Sequence, residues 1–209
     1  MTGMIEAWGE LTVSDAFGEA ARVFAELVRS LPADSWDGPG LGEWSVRDLV
    51  GHTSRALITV ETYLEQPAET EDVSTPAGYL AALGAVDAAA VAARGREAGR
   101  ALGADPTATT EALIERVLPL VERDDNPLIT TAAGGMHLNS YLPTRTFELV
   151  VHGLDIAAAT SIEPPGYSEQ LLSHVAAIAA TAAVIRGFGP ELLRALTGRQ
   201  RLRPDFSVV

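Results

Sequence analysis

The chain has 209 residues, 47% of them hydrophobic, a net charge of −13 and no cysteine. This length and apolar content predict one domain with a sizeable core, while the absence of cysteine excludes disulfides, thiolate metal ligands and a thiol nucleophile carried by the protein. The acidic balance argues against a nucleic-acid partner, which needs clustered basic residues, and the absence of lysine excludes Schiff-base chemistry.

Helical signals dominate the first third of the chain, and alternating strand patterns are nearly absent. Capping residues and a following proline predict a first helix over residues 12–30. A loop rich in glycine, proline and aspartate comes next. Ser45, with Asp48 three residues later, has the pattern of a capping box and predicts a second helix over residues 45–65.

The rest of the chain carries similar signals for the starts and ends of helices. Thr75 with Pro76, and Asp105 with Pro106, each have the pattern of an N-cap followed by a first helical residue. The segment 124–136 is predicted to be a loop. The predicted helices of this part cover residues 76–103, 106–123, 139–160, 168–186 and 190–196. Helices joined by short loops, without a βαβ rhythm, indicate an antiparallel helical bundle.

The segment RTFELVVHGLDI is an apolar helix that carries Arg145, Glu148, His152 and Asp155. Their spacings of three and four residues place these side chains within an arc of roughly 80° on one helix face. Because the other faces are apolar too, this stripe is not expected to be the solvated side of an amphipathic helix. A buried carboxylate or imidazole needs a partner, and a metal ion is one such partner.

The second predicted helix offers a further metal ligand, His52, on an otherwise apolar face. In a bundle, metal sites form from side chains that facing helices project inward, so His52 can meet Glu148 and His152. Two histidines and one carboxylate leave open coordination positions, as catalytic sites do. This donor set suits zinc, and also iron, nickel or manganese.

Simpler interpretations of these residues stay open. A single histidine such as His52 is more often a core or surface residue, and Glu148 with His152 can be a local ionic pair. Arg145 can pair with Glu148, and Asp155 with His152, in the same way. Four other residues are expected to be structural, namely two surface histidines, His137 and His174, and two tryptophans that pack as lids over the bundle ends, Trp36 and Trp44.

Two stretches of the chain resemble the mycothiol-dependent maleylpyruvate isomerase family, a branch of the DinB-like metalloenzyme superfamily. GEWSVRDLVGHTSRAL is similar to the family's W-[ST]-V-R-D-L-x-x-H segment, here Trp44 to His52. RTFELVVHGLDIA is similar to its R-x-x-E-x-x-x-H-x-x-D segment, here Arg145 to Asp155. The likeness covers nearly the whole chain.

The resemblance implies an all-α fold, a DinB-like antiparallel four-helix bundle with additional C-terminal helices. We expect residues 1–209 to form one such domain, with residues 198–209 as a tail that either holds one strand or lies across the bundle. The isomerase itself carries a small α/β domain after its bundle, and we expect no such domain in this chain. The identity of the substrate is therefore open.

The resemblance also implies a divalent metal, usually zinc, held by His52, Glu148 and His152, with mycothiol as the thiol cosubstrate. The absence of cysteine agrees with a thiol that is delivered as a separate molecule. Two candidate catalytic residues complete the site. Arg145 would orient an anionic substrate or fix Glu148, and Asp155 would orient a histidine ring as an acceptor behind the metal.

The leading hypothesis is therefore a metal-dependent, mycothiol-using thiol transferase or isomerase. The alternatives are a hydrolase with metal-bound water as nucleophile, and a non-enzymatic bundle that binds a metal or ligand. The expected partners are a small-molecule thiol and an electrophilic substrate, without nucleic acid or membrane, and we lean towards a homodimer. The chain shows no secretory signal and no run of about 18 apolar residues, so the cytoplasm is the expected location.

Overall fold

The computed structural model describes residues 11–83 and 88–208, the side chain of Ala88 excepted. Within these ranges eight helices and one two-stranded sheet form, and the predicted all-α class is confirmed. The helices are α1 (Val13–Ser30), α2 (Val46–Leu64), α3 (Pro76–Leu83), α4 (Ala88–Ala101), α5 (Pro106–Val121), α6 (Leu138–Thr160), α7 (Glu169–Ile185) and α8 (Gly189–Leu196), and the strands are β1 (Leu128–Thr131) and β2 (Gly134–His137).

Side-chain caps begin the helices where their residue types predict them. The backbone N–H of Asp15 donates to Thr12 Oγ1 over 3.1 Å at the start of α1. At the start of α2 the backbone N–H of Asp48 donates to Ser45 Oγ, and the backbone N–H of Ser45 donates back to the Asp48 carboxylate. Each cap satisfies an amide that the first helical turn leaves without a partner.

Three sequence predictions concern residues that the structure does not describe. The helix predicted over residues 76–103 includes residues 84–87, which lie outside the described residues, and its described parts form α3 and α4, the latter ending two residues before the predicted end. Residues 1–10, where no secretory signal is predicted, also lie outside them. So does Val209 at the end of the predicted tail.

The prediction of a loop over residues 124–136 is wrong in one part, because β1 and β2 pair there as an antiparallel hairpin. Leu128 lies opposite His137 at its open end. Gln66 and Ala68 extend the pairing. The amide of Ala68 donates to the carbonyl oxygen of Leu128, and the amide of Thr130 donates to the carbonyl oxygen of Gln66. Strands of four residues joined by two alanines carry neither a long alternation nor an Asn-Gly turn signal.

The structure also describes residues 198–208 of the tail, for which one strand or a position across the bundle was predicted. Residues 198–208 form no strand, and Arg203 pairs with Glu191 of α8 over 3.0 Å. No helix in the described ranges combines the length and apolar character that crossing a membrane requires.

Helix α6 lies at the centre of the bundle, where it packs against α1, α2, α3 and α7. Residues such as Leu149 and Ile156 are fully buried between these helices. Helix α2 also packs closely against α4, where glycines remove the side chains that would separate the two backbones. A Cβ on Gly51 would lie only 2.2 Å from the backbone nitrogen of Gly99. The site described below lies where α2, α4 and α6 meet.

Candidate metal centre

Helices α2 and α6 bring three candidate metal ligands together. His52 comes from α2, whereas Glu148 and His152 lie one turn apart on α6. The carboxylate oxygen Oε2 of Glu148 is 3.9 Å from His52 Nε2 and 3.2 Å from His152 Nε2. One donor atom from each of the three residues lies within 4.8 Å of the others. The predicted convergence of the two helices is therefore present in the fold.

Asp155 holds the other side of the His152 ring. Its Oδ2 lies 3.0 Å from His152 Nδ1, one helical turn further along α6. With Nδ1 as the donor in this bond, Nε2 is the nitrogen that faces Glu148 and His52. A carboxylate behind a histidine in this way fixes the ring tautomer and raises its basicity as a metal ligand. The position of Asp155 agrees with the orienting role expected of it.

Burial and mutual charge strongly shift the pKa values of all three candidate ligands. Burial opposes the charge on Glu148, but the hydrogen bond from His152 and the charge of Arg145 outweigh it and lower the Glu148 pKa to about 2. Burial likewise opposes a charged His152, yet its bonds to Asp155 and Glu148 raise its pKa to about 9. For His52, burial followed by repulsion from His152 lowers the pKa to about 4. At pH 7 the metal-free site thus holds a protonated His152 and a neutral His52 beside an ionised Glu148.

The residues fit a divalent metal ion. Two imidazoles and one carboxylate are the donor types that zinc and similar ions prefer, and a cation can replace the proton that His152 shares with Glu148. His52 Nδ1 is buried and has no hydrogen-bond partner within the described part of the chain. His52 Nε2 is the nitrogen that faces Glu148, so a metal ion would bind there and leave Nδ1 as the second ring nitrogen.

The protonation pattern of the metal-free protein is itself testable. We expect His152 to titrate near pH 9 and His52 near pH 4 when their ring protons are followed by NMR. The His152 proton therefore stabilises the fold fully below its ordinary value of 6.5, and this contribution is lost as the pH rises towards 9. Replacing Asp155 with asparagine should lower the His152 pKa. A wild-type His152 that titrates near 6.5 would contradict this arrangement.

A cavity of about 1130 Å³ opens beside the three ligands. Its wall combines them with apolar residues of α3 and α4, including Leu80, Leu83 and Val91. Pockets for small ligands typically measure about 300–1,000 Å³ and are mainly apolar with a few placed polar groups. This cavity is therefore large enough to hold a small-molecule ligand.

Arg145 is buried in the cavity wall and is held by aromatic rings. Its guanidinium lies 4.9 Å from the ring centre of Tyr141 and 5.4 Å from that of Tyr79, and its Nε donates to Thr144 Oγ1. Among the described residues, no carboxylate lies within 4.0 Å of it, so the ion pair considered for Arg145 and Glu148 does not form. Burial raises the pKa of both tyrosines, which therefore stay neutral beside it.

Some residues of the site could not be found by sequence reasoning. Trp44, expected to be a lid over a bundle end, instead lies against the His52 ring with 4.4 Å between ring centres. Tyr79 and Tyr141 surround Arg145 from α3 and α6. Tyr141 lies one helical turn before Arg145 on α6, whereas Tyr79 comes from α3, which no spacing rule connects to them. The segment from Trp44 to His52 that carries the family resemblance is the signal that could have linked these two residues.

The two remaining histidines lie outside the cluster, as expected. His137 Nδ1 lies 2.9 Å from the carbonyl oxygen of Asn126. His174 lines a separate, almost wholly apolar groove of about 310 Å³ between α1, α3, α6 and α7. Both are half-buried rather than fully exposed.

Comparison with known proteins places the chain in a family. The family described as the mycothiol maleylpyruvate isomerase N-terminal domain matches residues 17–157. No curated protein and no solved structure gives a significant match. The matched range includes α2 and nearly all of α6, and so contains every candidate metal ligand. Because the match spans well over half of the sequence, this chain belongs to the mycothiol maleylpyruvate isomerase N-terminal domain family.

Proposed function

We propose that this protein is a metal-dependent enzyme that uses mycothiol, acting as a thiol transferase or isomerase on a small electrophile with an anionic group. His52, Glu148 and His152 would hold a divalent ion, with zinc as the first candidate. Such an ion lowers the pKa of a thiol at its open position, so that a thiolate is available at neutral pH. The chain has no cysteine, so the sulfur comes from a separate molecule.

One observation carries this proposal. Three donor atoms of metal-binding type lie within 4.8 Å of one another at the wall of a cavity large enough for a small-molecule ligand. The geometry supports a metal with substrate access, since structural metal sites are closed by a fourth protein ligand. The family's name supplies the identity of the thiol.

Asp155 and the protonation states of the three residues prepare the site for a metal ion. Asp155 accepts a hydrogen bond from His152 Nδ1–H, so that, once the extra proton has left, the lone pair of Nε2 is directed towards Glu148 and His52. Glu148 is ionised and His52 is neutral at pH 7, as metal binding requires. The extra proton of His152 is released when the ion binds.

Arg145 is the reason for proposing that the electrophile carries an anionic group. It is one of three arginines in the cavity wall, with Arg55 and Arg94, against two acidic residues, Glu43 and Glu148. None of the three arginines has a carboxylate within 4.0 Å among the described residues. The cavity is thus a basic region in a protein of net charge −13. A buried guanidinium that is stacked on rings and has no carboxylate within ion-pair distance is suited to bind a carboxylate.

The test begins with metal content, measured by mass spectrometry on protein purified without chelator or histidine tag. We expect about one divalent ion per chain, as a single three-ligand site holds. Calorimetry then compares mycothiol with S-methyl mycothiol on the zinc-loaded protein. The free thiol should bind at least about tenfold more tightly, a difference of about 1.4 kcal/mol.

The alternatives give different results in the same experiment. A protein without metal would support the non-enzymatic binding bundle. A protein with metal that binds both thiols equally would contradict thiol activation and favour a hydrolase that uses bound water. Metal-free protein serves as the control for binding that does not involve the site.

A further inference from the structure

We propose that the indole of Trp44 positions His52 for metal binding, in place of the hydrogen-bond acceptor that orients most metal-binding histidines. This inference rests on the metal site proposed above. It assigns a role to a residue outside the ligand set, on the turn that precedes α2.

The two histidines of the site are supported differently. His152 has Asp155 behind its ring at 3.0 Å. His52 Nδ1 is buried without any hydrogen-bond partner in the described ranges. Metal-binding histidines almost always donate their second ring nitrogen to a carboxylate, carbonyl or water, which fixes the ring orientation. His52 lacks that support.

Trp44 lies where it can supply the missing support. Its ring centre is 4.4 Å from that of His52, with 33° between the ring planes, and only 9% of the residue is exposed. The indole is fixed in turn, because its Nε1 donates to the carbonyl oxygen of Ala92 on α4 over 3.1 Å. The His52 ring therefore rests on an aromatic surface that cannot easily move away.

Helix α4 packs directly against the indole. A Cβ on Gly95 would lie 2.5 Å from Trp44 Cε2 and 2.6 Å from Cζ2, so the indole occupies space that only glycine leaves free. Further along the same helices, Gly51 and Gly99 let the backbones of α2 and α4 approach closely. The packing of α4 on α2 thus holds Trp44 against His52.

The face of an indole also favours the metal-bound form of the histidine. Aromatic faces carry a negative quadrupole, which attracts cations and electron-poor rings. An imidazole that donates its lone pair to a divalent ion becomes electron-poor. The contact is therefore stronger in the metal-bound protein than in the metal-free protein, and losing the aromatic face should weaken metal binding beyond the loss of packing.

The experiment measures zinc affinity by competition with a chromophoric chelator, together with the visible spectrum of the cobalt-substituted protein. Trp44→Leu removes the aromatic face and keeps much of the bulk, whereas Trp44→Phe keeps a face. We expect Trp44→Leu to bind zinc about 10- to 100-fold more weakly with an altered cobalt spectrum, as for other outer partners of metal ligands. Trp44→Phe should recover most of the affinity. Trp36→Leu is the control, since Trp36 packs on Arg47 instead.

The outcomes separate this inference from the metal site itself. A wild-type protein that binds no zinc would overturn the proposed function before any variant is compared. A wild-type protein that binds zinc, with a Trp44→Leu variant of equal affinity and unchanged cobalt spectrum, would overturn the role of Trp44 alone. An equal loss in the Leu and Phe variants would also overturn it. If Trp44→Leu does not fold, Gly95→Ala displaces the indole from the α4 side and should weaken zinc binding in the same way.

Discussion

Replacing His152 with alanine is expected to reduce the metal content from about one ion per chain to background. The substitution removes one of the three candidate donors and its hydrogen bond with Asp155. Binding energies of about 10–16 kcal/mol for four-ligand zinc sites suggest roughly 3 kcal/mol per ligand, a factor of about a hundred or more in affinity. Mass spectrometry of the purified variant, followed by chelator competition, measures both quantities.

The bundle should remain folded in this variant. Glu148 loses its hydrogen-bond partner, but a buried carboxylate can become neutral by taking up a proton, which limits the cost. Circular dichroism checks this, and Glu148→Gln gives a second variant that keeps the shape of the side chain. His174→Ala is the matched control, since His174 is also half-buried but lines the separate apolar groove. A His152→Ala protein with full metal content would exclude His152 as a ligand.

Replacing Arg145 with methionine is expected to remove the preference for anionic ligands. Truncating one partner of a buried, hydrogen-bonded charge pair typically costs about 2–5 kcal/mol, so binding of a carboxylate should weaken by about a hundredfold. Maleate and its dimethyl ester provide a matched pair of probes, measured by calorimetry on the metal-loaded protein. Wild type should favour maleate strongly, and Arg145→Met should bind the two compounds with similar affinity.

Two controls distinguish this role from a loss of structure. Arg116→Met removes an exposed arginine that pairs with Glu61 outside the cavity, and it should leave the preference unchanged. Metal content should remain near one ion per chain in Arg145→Met, because Arg145 does not contact the ligands directly. If Arg145→Met keeps the preference for maleate, the guanidinium serves the fold and does not bind substrate.

The helices and the polar stripe follow from local patterns in the sequence. Ser45 and Asp48 make the predicted capping box, and α6 covers the predicted range to within one residue at its start. Helix periodicity alone places Glu148, His152 and Asp155 along one side, and the bond between His152 and Asp155 is a contact between neighbouring turns. Such features depend on residues three or four positions apart, so spacing reveals them.

The hairpin at β1 and β2 shows where local patterns fail. Its strands have four residues each, and the chain around residues 66–68 supplies part of the pairing. Pairing partners from a distant segment stabilise strands that are too short to give a periodic signal. The predicted loop was therefore wrong there, although the surrounding helices were placed well.

The sequence by itself determined the helical class, the helix boundaries and the stripe on α6, because each arises from contacts within a turn or two of helix. Only the tertiary structure decided what faces that stripe. It placed His52 within reach of Glu148, laid Trp44 on the His52 ring and enclosed Arg145 between two tyrosines without an acidic partner. Apart from the contact of Arg145 with Tyr141 on the same helix, these contacts join residues on separate elements, and their distances depend on how the helices pack, which local spacing does not specify.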